Sequence, residues 1–334
     1  MKKNNNKIKI SSEKKSSFYI LVLLLCLSFT SLSYAWNAAG HQLMAAITWD
    51  LLSTEQQDYW VGILEHHPRF KKDFEDHIPK YVKRNPDTYK EWVFRRAATW
   101  PDIARGIPEK QRDKYHHGSW HYINYSIYLD KKVDTKFVNL NTKWQRDFNN
   151  ELNIIQALKG NIGILNKHGA SKKEQAVALS WVLHLTGDAH QPLHSTALFS
   201  KNYFKKGDRG GNLIKISGQG QVTNLHWFWD SRLDSTTSFR IIDLKAKKLT
   251  EQHHSHALKS QNKPIKSWLK DSNKLAIKHV YSPAMLSTLN SSEKNKKNQP
   301  TNVISNDYDK QARNVSNSQI VDAAYKMAQL LKDI

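Results

Sequence analysis

Cysteine is almost absent from this sequence: Cys26 is the only one among 334 residues. A single cysteine cannot form a disulfide within the chain, and it cannot supply the thiolate sets that hold many structural zinc ions. Any metal site in this protein must therefore be built from nitrogen and oxygen ligands.

Long hydrophobic runs are also scarce. The one candidate, FYILVLLLCLSFT, lies between a lysine-rich segment and SLSYA, and it is too short to span a bilayer comfortably. This order is typical of a signal peptide and predicts cleavage after Ala35, with an uncleaved N-terminal anchor as the alternative. We expect residues 1–35 to be a leader and residues 36–334 to be one exported domain, periplasmic or secreted, without stable membrane association.

Acidic residues are too few to balance the basic ones. The formal net charge is +21, and the leader contributes six lysines and one glutamate to it, so the remaining chain carries +16. Such a surplus suggests a polyanionic partner, which could be nucleic acid, an anionic membrane or a polysaccharide. The charge does not choose among these partners, and solubility alone explains it about as well.

Apolar residues recur at three- and four-residue spacing, which predicts a mainly α-helical protein. The pattern is clear in HQLMAAITWDLL, around WVFRRAATW, from Trp144 to Lys167 and in SKKEQAVALSWVLHLTGDAH. Ser171 and Glu174 form the pattern of a capping box at the start of the last segment. NLIKI and QVTNL predict one short β-hairpin.

The C-terminal part has two different characters. Residues 286–317 (Leu286 to Asn317) are rich in Asn, Ser and Lys, which predicts a long, mobile surface loop. SQIVDAAYKMAQLLKDI then predicts a closing amphipathic helix. No internal repeat is visible, and we expect a single domain. Nothing in the sequence indicates the oligomeric state, and a monomer is assumed.

Several histidines and aspartates lie in unexpectedly apolar surroundings. His184 and Asp188 follow the apolar run AVALSWVL, and their spacing of four places both on one face of a helix. The remaining members are His226 and Asp230 at the same spacing in NLHWFWD, His194 in HQPLH, Asp102 in ATWPD, His121 in SWHYINY, and His41. One such histidine alone is more often an ordinary core residue, but metal ligation would satisfy the whole set at once. Nitrogen and carboxylate ligands suit zinc and hydrolytic chemistry.

Most of the other histidines lie in polar or basic stretches. His66 and His67 are examples, and we expect them to be exposed to solvent, whereas His190 is ambiguous. These residues are therefore left out of the predicted metal set.

Taken in order, the motifs resemble those of the S1/P1 nucleases, zinc-dependent enzymes related to bacterial zinc phospholipase C. They are W-N-x-x-G-H after the predicted cleavage site, A-T-W-P-D, W-H-Y, H-L-x-G-D-x-x-Q-P-L-H, G-D-x-G-G-N and N-L-H-x-x-W-D. The resemblance runs from Trp36 to about Trp268, with a looser match in the final helix. It implies a mainly helical domain with three zinc ions at the bottom of a cleft.

The resemblance also implies which residues hold each zinc ion. The first site would use Asp102, His121, His184 and Asp188. Asp188 would bridge to a second site, completed by His41 and by the amino group and carbonyl of Trp36. The third site would use His194, His226 and Asp230. Since only a cleaved chain has a free amino group at Trp36, this assignment gives the leader a chemical purpose.

The activity implied by the resemblance is hydrolysis of phosphodiesters in single-stranded DNA and RNA. Water activated by zinc would attack phosphorus in line, giving 5′-phosphorylated products, and 3′-nucleotides would also be hydrolysed. Asp102 and Asp188 would act through the metals they hold. Arg105 would contact the phosphoryl oxygens, although an ordinary surface arginine is the alternative.

Three further positions are candidates for substrate binding. Tyr122 matches the family's base-stacking aromatic residue, and Asn124 stands where well-known members have an aspartate that reads the base edge. That departure leaves the base preference open, because an amide can donate as well as accept. Asn212, in the G-G-N turn, is expected either to shape the cleft wall or to contact the substrate.

Two other functions are compatible with some of these sequence features. A zinc phospholipase C would use the same metals, but its last ligand pair usually contains Glu, whereas this chain has His226 and Asp230. A non-catalytic nucleic-acid-binding or zinc-binding protein is the other alternative, and the intact ligand set argues against it. Retardation of DNA in a gel after chelation would distinguish binding from cleavage.

Overall fold

Helices make up most of the chain that the structure, a computed structural model, describes: residues 36–130, 140–218 and 221–334. The α-helices are α1 (Ala38–Asp50), α2 (Thr54–Leu64), α3 (Pro86–Ala104), α4 (Glu109–Tyr115), α5 (Ile154–Leu165), α6 (Lys172–Asp188), α7 (Leu225–Asp230), α8 (Phe239–Ser260), α9 (Ile265–Leu275), α10 (Pro283–Lys294) and α11 (Asn306–Asp333). The predicted mainly α fold class is confirmed. The predicted leader, residues 1–35, lies outside the described residues.

Helix α6 is the central element of the fold. Every residue from Ala178 to Asp188 is buried, so the helix is enclosed on all sides rather than along one stripe. It packs against α3, α5 and α11, and it also contacts α1. Its start follows the predicted capping box: Ser171 Oγ accepts from Glu174 N at 3.3 Å, and the Glu174 carboxylate accepts from Ser171 N at 2.9 Å.

Short strands support the helices near the C-terminal end of α6. Strand β1 (Tyr125–Tyr128) pairs in parallel with β2 (Thr196–Phe199). The predicted hairpin is present as the antiparallel pair β3 (Lys215–Gly218) and β4 (Gln221–Asn224). Strand β5 (Asn302–Val303) adds to β3 in parallel. The two parallel pairings join residues far apart in sequence, so local patterns could not predict them.

The prediction of a long surface loop over residues 286–317 is wrong. Helix α10 continues to Lys294, β5 follows, and α11 begins at Asn306. Each helix has a serine cap: Ser282 Oγ accepts from Met285 N, and Ser305 Oγ accepts from Tyr308 N. Composition was misleading here because a few well-spaced apolar residues, Leu289 among them, are enough to bury one face of each helix.

The helix predicted from Trp144 to Lys167 begins later than expected. Residues 144–153 are irregular, and α5 starts after Asn153, whose side chain accepts from Ile155 N and Gln156 N at 3.1 and 3.2 Å. Asparagine favours this capping role because its side chain competes with the helical backbone for hydrogen bonds. None of the helices in the described ranges is long and apolar enough to cross a membrane.

Candidate metal centre

The C-terminal end of α6 brings distant parts of the chain to one buried place. Helix α6 supplies His184 and Asp188, and α1 supplies His41; all three side chains are fully buried. Helix α3 supplies Asp102, and a short 3₁₀ helix (Gly118–His121) supplies His121, both nearly buried. The structure therefore gathers five of the predicted ligand residues from four separate segments.

Asp188 lies at the centre of this group. Its Oδ1 is 3.3 Å from His41 Nε2, and its Oδ2 is 2.9 Å from His121 Nδ1 and 3.3 Å from His184 Nε2. The carboxylate thus faces different histidines with its two oxygens. This is the arrangement needed for one aspartate to serve two metal ions.

Asp102 completes the first cluster. Its Oδ1 is 4.0 Å from His184 Nε2 and 3.1 Å from a terminal nitrogen of Arg105. The rings of His41 and His184 are stacked with their centroids 4.0 Å apart. Potential ligand atoms of His41, Asp102 and His184 lie within 4.8 Å of one another, as do those of His121, His184 and Asp188.

A second cluster lies beside the first. It contains His226 and Asp230 from α7 and His194 from a short 3₁₀ helix (Pro192–Ser195), with potential ligand atoms again within 4.8 Å. The predicted spacing of four brings His226 Nε2 to 3.4 Å from Asp230 Oδ2. Because His194 Nδ1 is only 3.8 Å from Asp188 Oδ2, the two clusters are contiguous.

Backbone carbonyls orient three of the histidine rings. His184 Nδ1 lies 2.9 Å from Ala98 O, His194 Nδ1 lies 2.6 Å from His121 O, and His226 Nδ1 lies 2.6 Å from Gly210 O. A carbonyl can only accept, so each Nδ1 carries a proton and Nε2 is the ring nitrogen left for a metal. That tautomer is the one needed for metal ligation through Nε2.

The residues fit a divalent metal on grounds other than distance. Several buried atoms of the two clusters have no hydrogen-bond partner among the described residues, among them His41 Nε2, His121 Nε2, His194 Nε2, Asp188 Oδ1 and Asp230 Oδ2. Leaving such atoms unpaired is costly, and cations would satisfy them. Because the donors are imidazoles and carboxylates without sulfur, zinc suits the set.

The electrostatics agree with this interpretation. Burial lowers the pKa of His121 to about 4 and the pKa of His226 to about 3, so both rings are neutral. Burial alone would raise the pKa of Asp188, but His184 and His194 outweigh it and hold that pKa well below its usual value. His121, His226 and Asp188 are thus ready to bind a metal.

Two ligands behave differently. Burial alone would lower the pKa of His184, but Asp188 and Asp102 outweigh it and raise that pKa to about 9. Burial raises the pKa of Asp230 well above its usual value. Metal binding would therefore displace a proton from His184 and from Asp230.

Two glycines allow the close approach of these groups. A Cβ atom at Gly187 would lie 2.8 Å from His41 Nδ1, and a Cβ at Gly40 would lie 2.8 Å from Trp36 Cβ. Trp36 is itself fully buried, and its indole Nε1 donates to Gly187 O at 3.0 Å. The start of the described chain is therefore anchored to the residue preceding Asp188.

The predicted substrate residues lie at the edges of the two clusters. Tyr122 directly follows His121 and keeps 37% of its surface exposed, which leaves its ring accessible for stacking. Asn124 follows Ile123, whose N–H donates to His194 O at 2.9 Å. The side chain of Asn212 donates to Arg209 O at 2.8 Å, so it shapes a turn beside the clusters. Their contact with substrate stays a prediction.

Two supporting residues were not singled out by sequence reasoning. Gln191 donates from Nε2 to Asp230 Oδ1 at 2.6 Å and accepts from Leu193 N. Asp208 accepts from Tyr281 OH at 2.7 Å and from Leu198 N at 2.9 Å. Both residues are buried. Each lies in one of the family motifs, Gln191 in H-Q-P-L-H and Asp208 in G-D-R-G-G-N, and a polar residue in such a motif could have been recognised as a candidate support for the site.

A family model described as S1/P1 Nuclease matches residues 36–334. The chain belongs to the S1/P1 nuclease family. Among its relatives, nuclease S1 of Aspergillus oryzae is 24% identical over 62% of this chain and 57% of its own length. Nuclease P1 of Penicillium citrinum is 28% identical over 59% of this chain and 57% of its own length.

A plant relative matches a longer stretch. Endonuclease 1 of Arabidopsis thaliana is 22% identical over 81% of this chain and 78% of its own length. The match to the two fungal nucleases spans less than two thirds of their length. The predicted S1/P1 resemblance is confirmed at the level of the family.

Proposed function

We propose that this S1/P1 family protein is a zinc-dependent endonuclease that hydrolyses single-stranded DNA and RNA at the P–O3′ bond. The products would carry 5′-phosphates, and 3′-nucleotides would be additional substrates. One observation carries the proposal: two contiguous buried clusters of imidazoles and carboxylates, joined through Asp188, lie beside a half-exposed tyrosine.

The proposed ligand sets follow the resemblance, and the geometry supports them. Asp102, His121, His184 and Asp188 would hold one zinc ion. Asp188, His41 and the amino group and carbonyl of Trp36 would hold a second, and His194, His226 and Asp230 would hold a third. When bound, zinc supplies Lewis-acid chemistry, which neutralises charge on a phosphodiester and makes water nucleophilic near neutral pH.

The protein's own residues prepare the site for that chemistry. The carbonyls of Ala98, His121 and Gly210 fix the ring orientations, so little reorganisation is needed during the reaction. Arg105 pairs with Asp102 through one nitrogen and is 23% exposed at its side chain. We propose that it also binds phosphoryl oxygens.

Single-strand preference would follow from the depth of the clusters. Buried ligands can reach a backbone phosphate only if the adjacent base turns aside, and Tyr122 offers a surface on which that base could stack. Asn124 would contact the edge of the base. These roles, like the monomeric state, are part of the proposal.

Export is the remaining element of the proposal. A leader ending at Ala35 would be removed, which would free the amino group of Trp36. The burial of Trp36 and its hydrogen bond to Gly187 support an ordered chain start at this point. The protein would then act in the periplasm or outside the cell.

Metal analysis combined with an activity assay tests the proposal. Protein beginning at Trp36 should contain close to three zinc ions per chain and should cleave a single-stranded oligonucleotide. Chelation should abolish cleavage, and zinc should restore it. Absence of zinc, hydrolysis of phosphatidylcholine with nucleic acids left intact, or DNA retardation without any cleavage would each contradict it.

A further inference from the structure

The turn of residues 207–212, which we call the GDRGGN turn, has an unusual backbone. Gly207, Gly210 and Gly211 have φ angles of +87°, +59° and +83°, and Arg209 has a φ angle of +57°. Positive φ is ordinary for glycine but is uncommon and unfavourable for a residue with a long side chain. Arg209 is therefore the residue of this turn whose presence needs an explanation.

The neighbouring glycines have a steric reason that does not apply to Arg209. A Cβ atom at Gly210 would lie 2.5 Å from Leu193 O, and one at Gly211 would lie 3.3 Å from His226 N. Glycine at position 209 would adopt this positive φ angle without strain, yet the chain has a positively charged arginine there. Strained residues of this kind are concentrated at functional sites.

The GDRGGN turn is held by hydrogen bonds on both sides of Arg209, and on one side the partner is a proposed metal ligand. On one side, buried Asp208 is held by Tyr281 OH and Leu198 N. On the other, Gly210 O accepts from His226 Nδ1 at 2.6 Å. The carbonyl of Arg209 itself accepts from the side chain of Asn212. The backbone of Arg209 is thus one residue away from the group that orients a proposed zinc ligand.

The side chain of Arg209 is exposed. The GDRGGN turn and Tyr122 flank the same segment of chain: a Cβ atom at Gly210 would lie 2.5 Å from Leu193 O, and Ile123 N donates to His194 O at 2.9 Å. Among the ion pairs of the described residues, none includes Arg209, whereas Arg105 is paired with Asp102. The two arginines therefore present cations at different places around the clusters.

We propose that Arg209 binds a backbone phosphate of the nucleic-acid substrate next to the phosphodiester that is cleaved, beside the base that stacks on Tyr122. This inference rests on the proposed nuclease function. Guanidinium groups suit phosphate because their planar array of donors can contact two oxygens at once. Arg209 would then be a specificity residue for polynucleotides over single nucleotides.

The test compares Arg209→Asn, Arg209→Gly and wild type. Asparagine and glycine both tolerate positive φ, so each removes the cation without adding backbone strain. We expect KM for a single-stranded oligonucleotide to rise about 3- to 10-fold, with kcat within twofold, and the salt dependence of binding to weaken by about 0.7 in log–log slope, the value for one lost single-strand phosphate contact. Arg84→Asn, which removes an exposed cation elsewhere, is the matched control.

A 3′-nucleotide separates this role from simple support of the site. Its single phosphate leaves nothing for Arg209 to bind, so KM for a 3′-nucleotide should not change in either variant. Zinc content should equal that of wild type, and the melting temperature of Arg209→Gly should be no lower. Unchanged oligonucleotide KM and salt slope, or equal losses on both substrates with loss of zinc, would overturn the assignment. A wild-type protein that hydrolyses neither substrate would instead contradict the nuclease proposal.

Discussion

Asp188 lies at the centre of the candidate metal centre, and its two oxygens face different histidines. Asp188→Asn keeps the shape and removes the charge, so an uncompensated set of imidazoles would remain. We expect zinc content to fall and activity to drop by more than about 100-fold, the upper end for residues that only support a metal ligand. Metal analysis and oligonucleotide hydrolysis check this, with exposed Asp113→Asn as the control. Full zinc content in Asp188→Asn would contradict the bridging role.

A substitution at Gln191 tests the cluster of His194, His226 and Asp230 separately from the other cluster. Its amide donates to Asp230 Oδ1, and Gln191→Leu would remove that donor while filling similar space. We expect zinc affinity at this site to weaken about 10- to 100-fold, as for other partners of metal ligands. Zinc titration followed by calorimetry should then show one weakened site and two unaffected ones. Equal weakening of all sites would mean that the substitution disrupts the fold instead.

His67 corrects an expectation and gives a pH-dependent prediction. Contrary to the sequence-based expectation, it is 3% exposed and packs edge-on against Trp100, with ring centroids 4.2 Å apart. Burial lowers its pKa to about 3, against about 6.5 in an unfolded chain. Below pH 6.5 the unfolded state therefore binds the proton and the folded state does not, so stability falls as pH decreases towards 3.

Replacing this residue should remove that part of the pH dependence. Between pH 7 and pH 5, His67 should lower the unfolding free energy of the wild-type protein by about 2 kcal/mol. The decrease over the same pH range should be about 2 kcal/mol smaller in His67→Gln. Denaturant unfolding at the two pH values measures the difference. His66→Gln, at an exposed neighbour, should retain the wild-type pH dependence. Identical slopes in His67→Gln and wild type would show that His67 is protonated in the fold.

The proposed metal ligands were easier to predict from the sequence than the residues that hold those ligands in place. His184–Asp188 and His226–Asp230 could be found because spacing of four places two side chains on one helix face. The meeting of Asp102, His121 and His41 depends on tertiary packing, and only the family resemblance indicated it. Gln191 and Asp208 were missed because one buried polar residue has no periodic signal, and His67 was misjudged because its apolar neighbours are not adjacent in sequence.

At the scale of elements, the capping box of α6 offers a test that is independent of the metals. Ser171→Ala removes the side-chain acceptor for Glu174 N at the end of the helix remote from Asp188. We expect a loss of about 1 kcal/mol in unfolding free energy, without any change in zinc content. Glu174→Gln, which keeps an acceptor for Ser171 N, should lose less. Thermal unfolding measures the stability of both variants. A change in zinc content in Ser171→Ala would contradict the expectation that the helix cap and the metal centre are independent.

Elements were predicted well where periodicity was long and poorly where composition dominated. Helix α6 has a continuous apolar pattern and a cap, and both its existence and its start were predictable. The Asn- and Lys-rich segment around α10 hides Met285 and Leu289, which are enough to hold the helix against its core cluster. The parallel pairs β1–β2 and β3–β5 were beyond reach because no local signal specifies a distant partner.

At the scale of the whole molecule, the candidate metal centre brings together segments that are far apart in sequence and are not cross-linked to one another. The two clusters connect α1, α3, α6 and α7 and two short 3₁₀ helices, while the start of the described chain is tied to Gly187 through Trp36. No disulfide can assist, because the sequence has one cysteine. Metal binding should therefore contribute substantially to the stability of the folded state.

Removal of zinc should accordingly lower the melting temperature of the entire protein. A ligand that binds only the folded state at about 1,000 times its dissociation constant stabilises it by about 4 kcal/mol for each site, so loss of several ions should give a large shift. Scanning calorimetry with and without chelator measures it. Asp188→Asn, with fewer ions to lose, should show a smaller shift. Superimposable curves for wild-type protein with and without chelator would mean that protein contacts alone hold the clusters together.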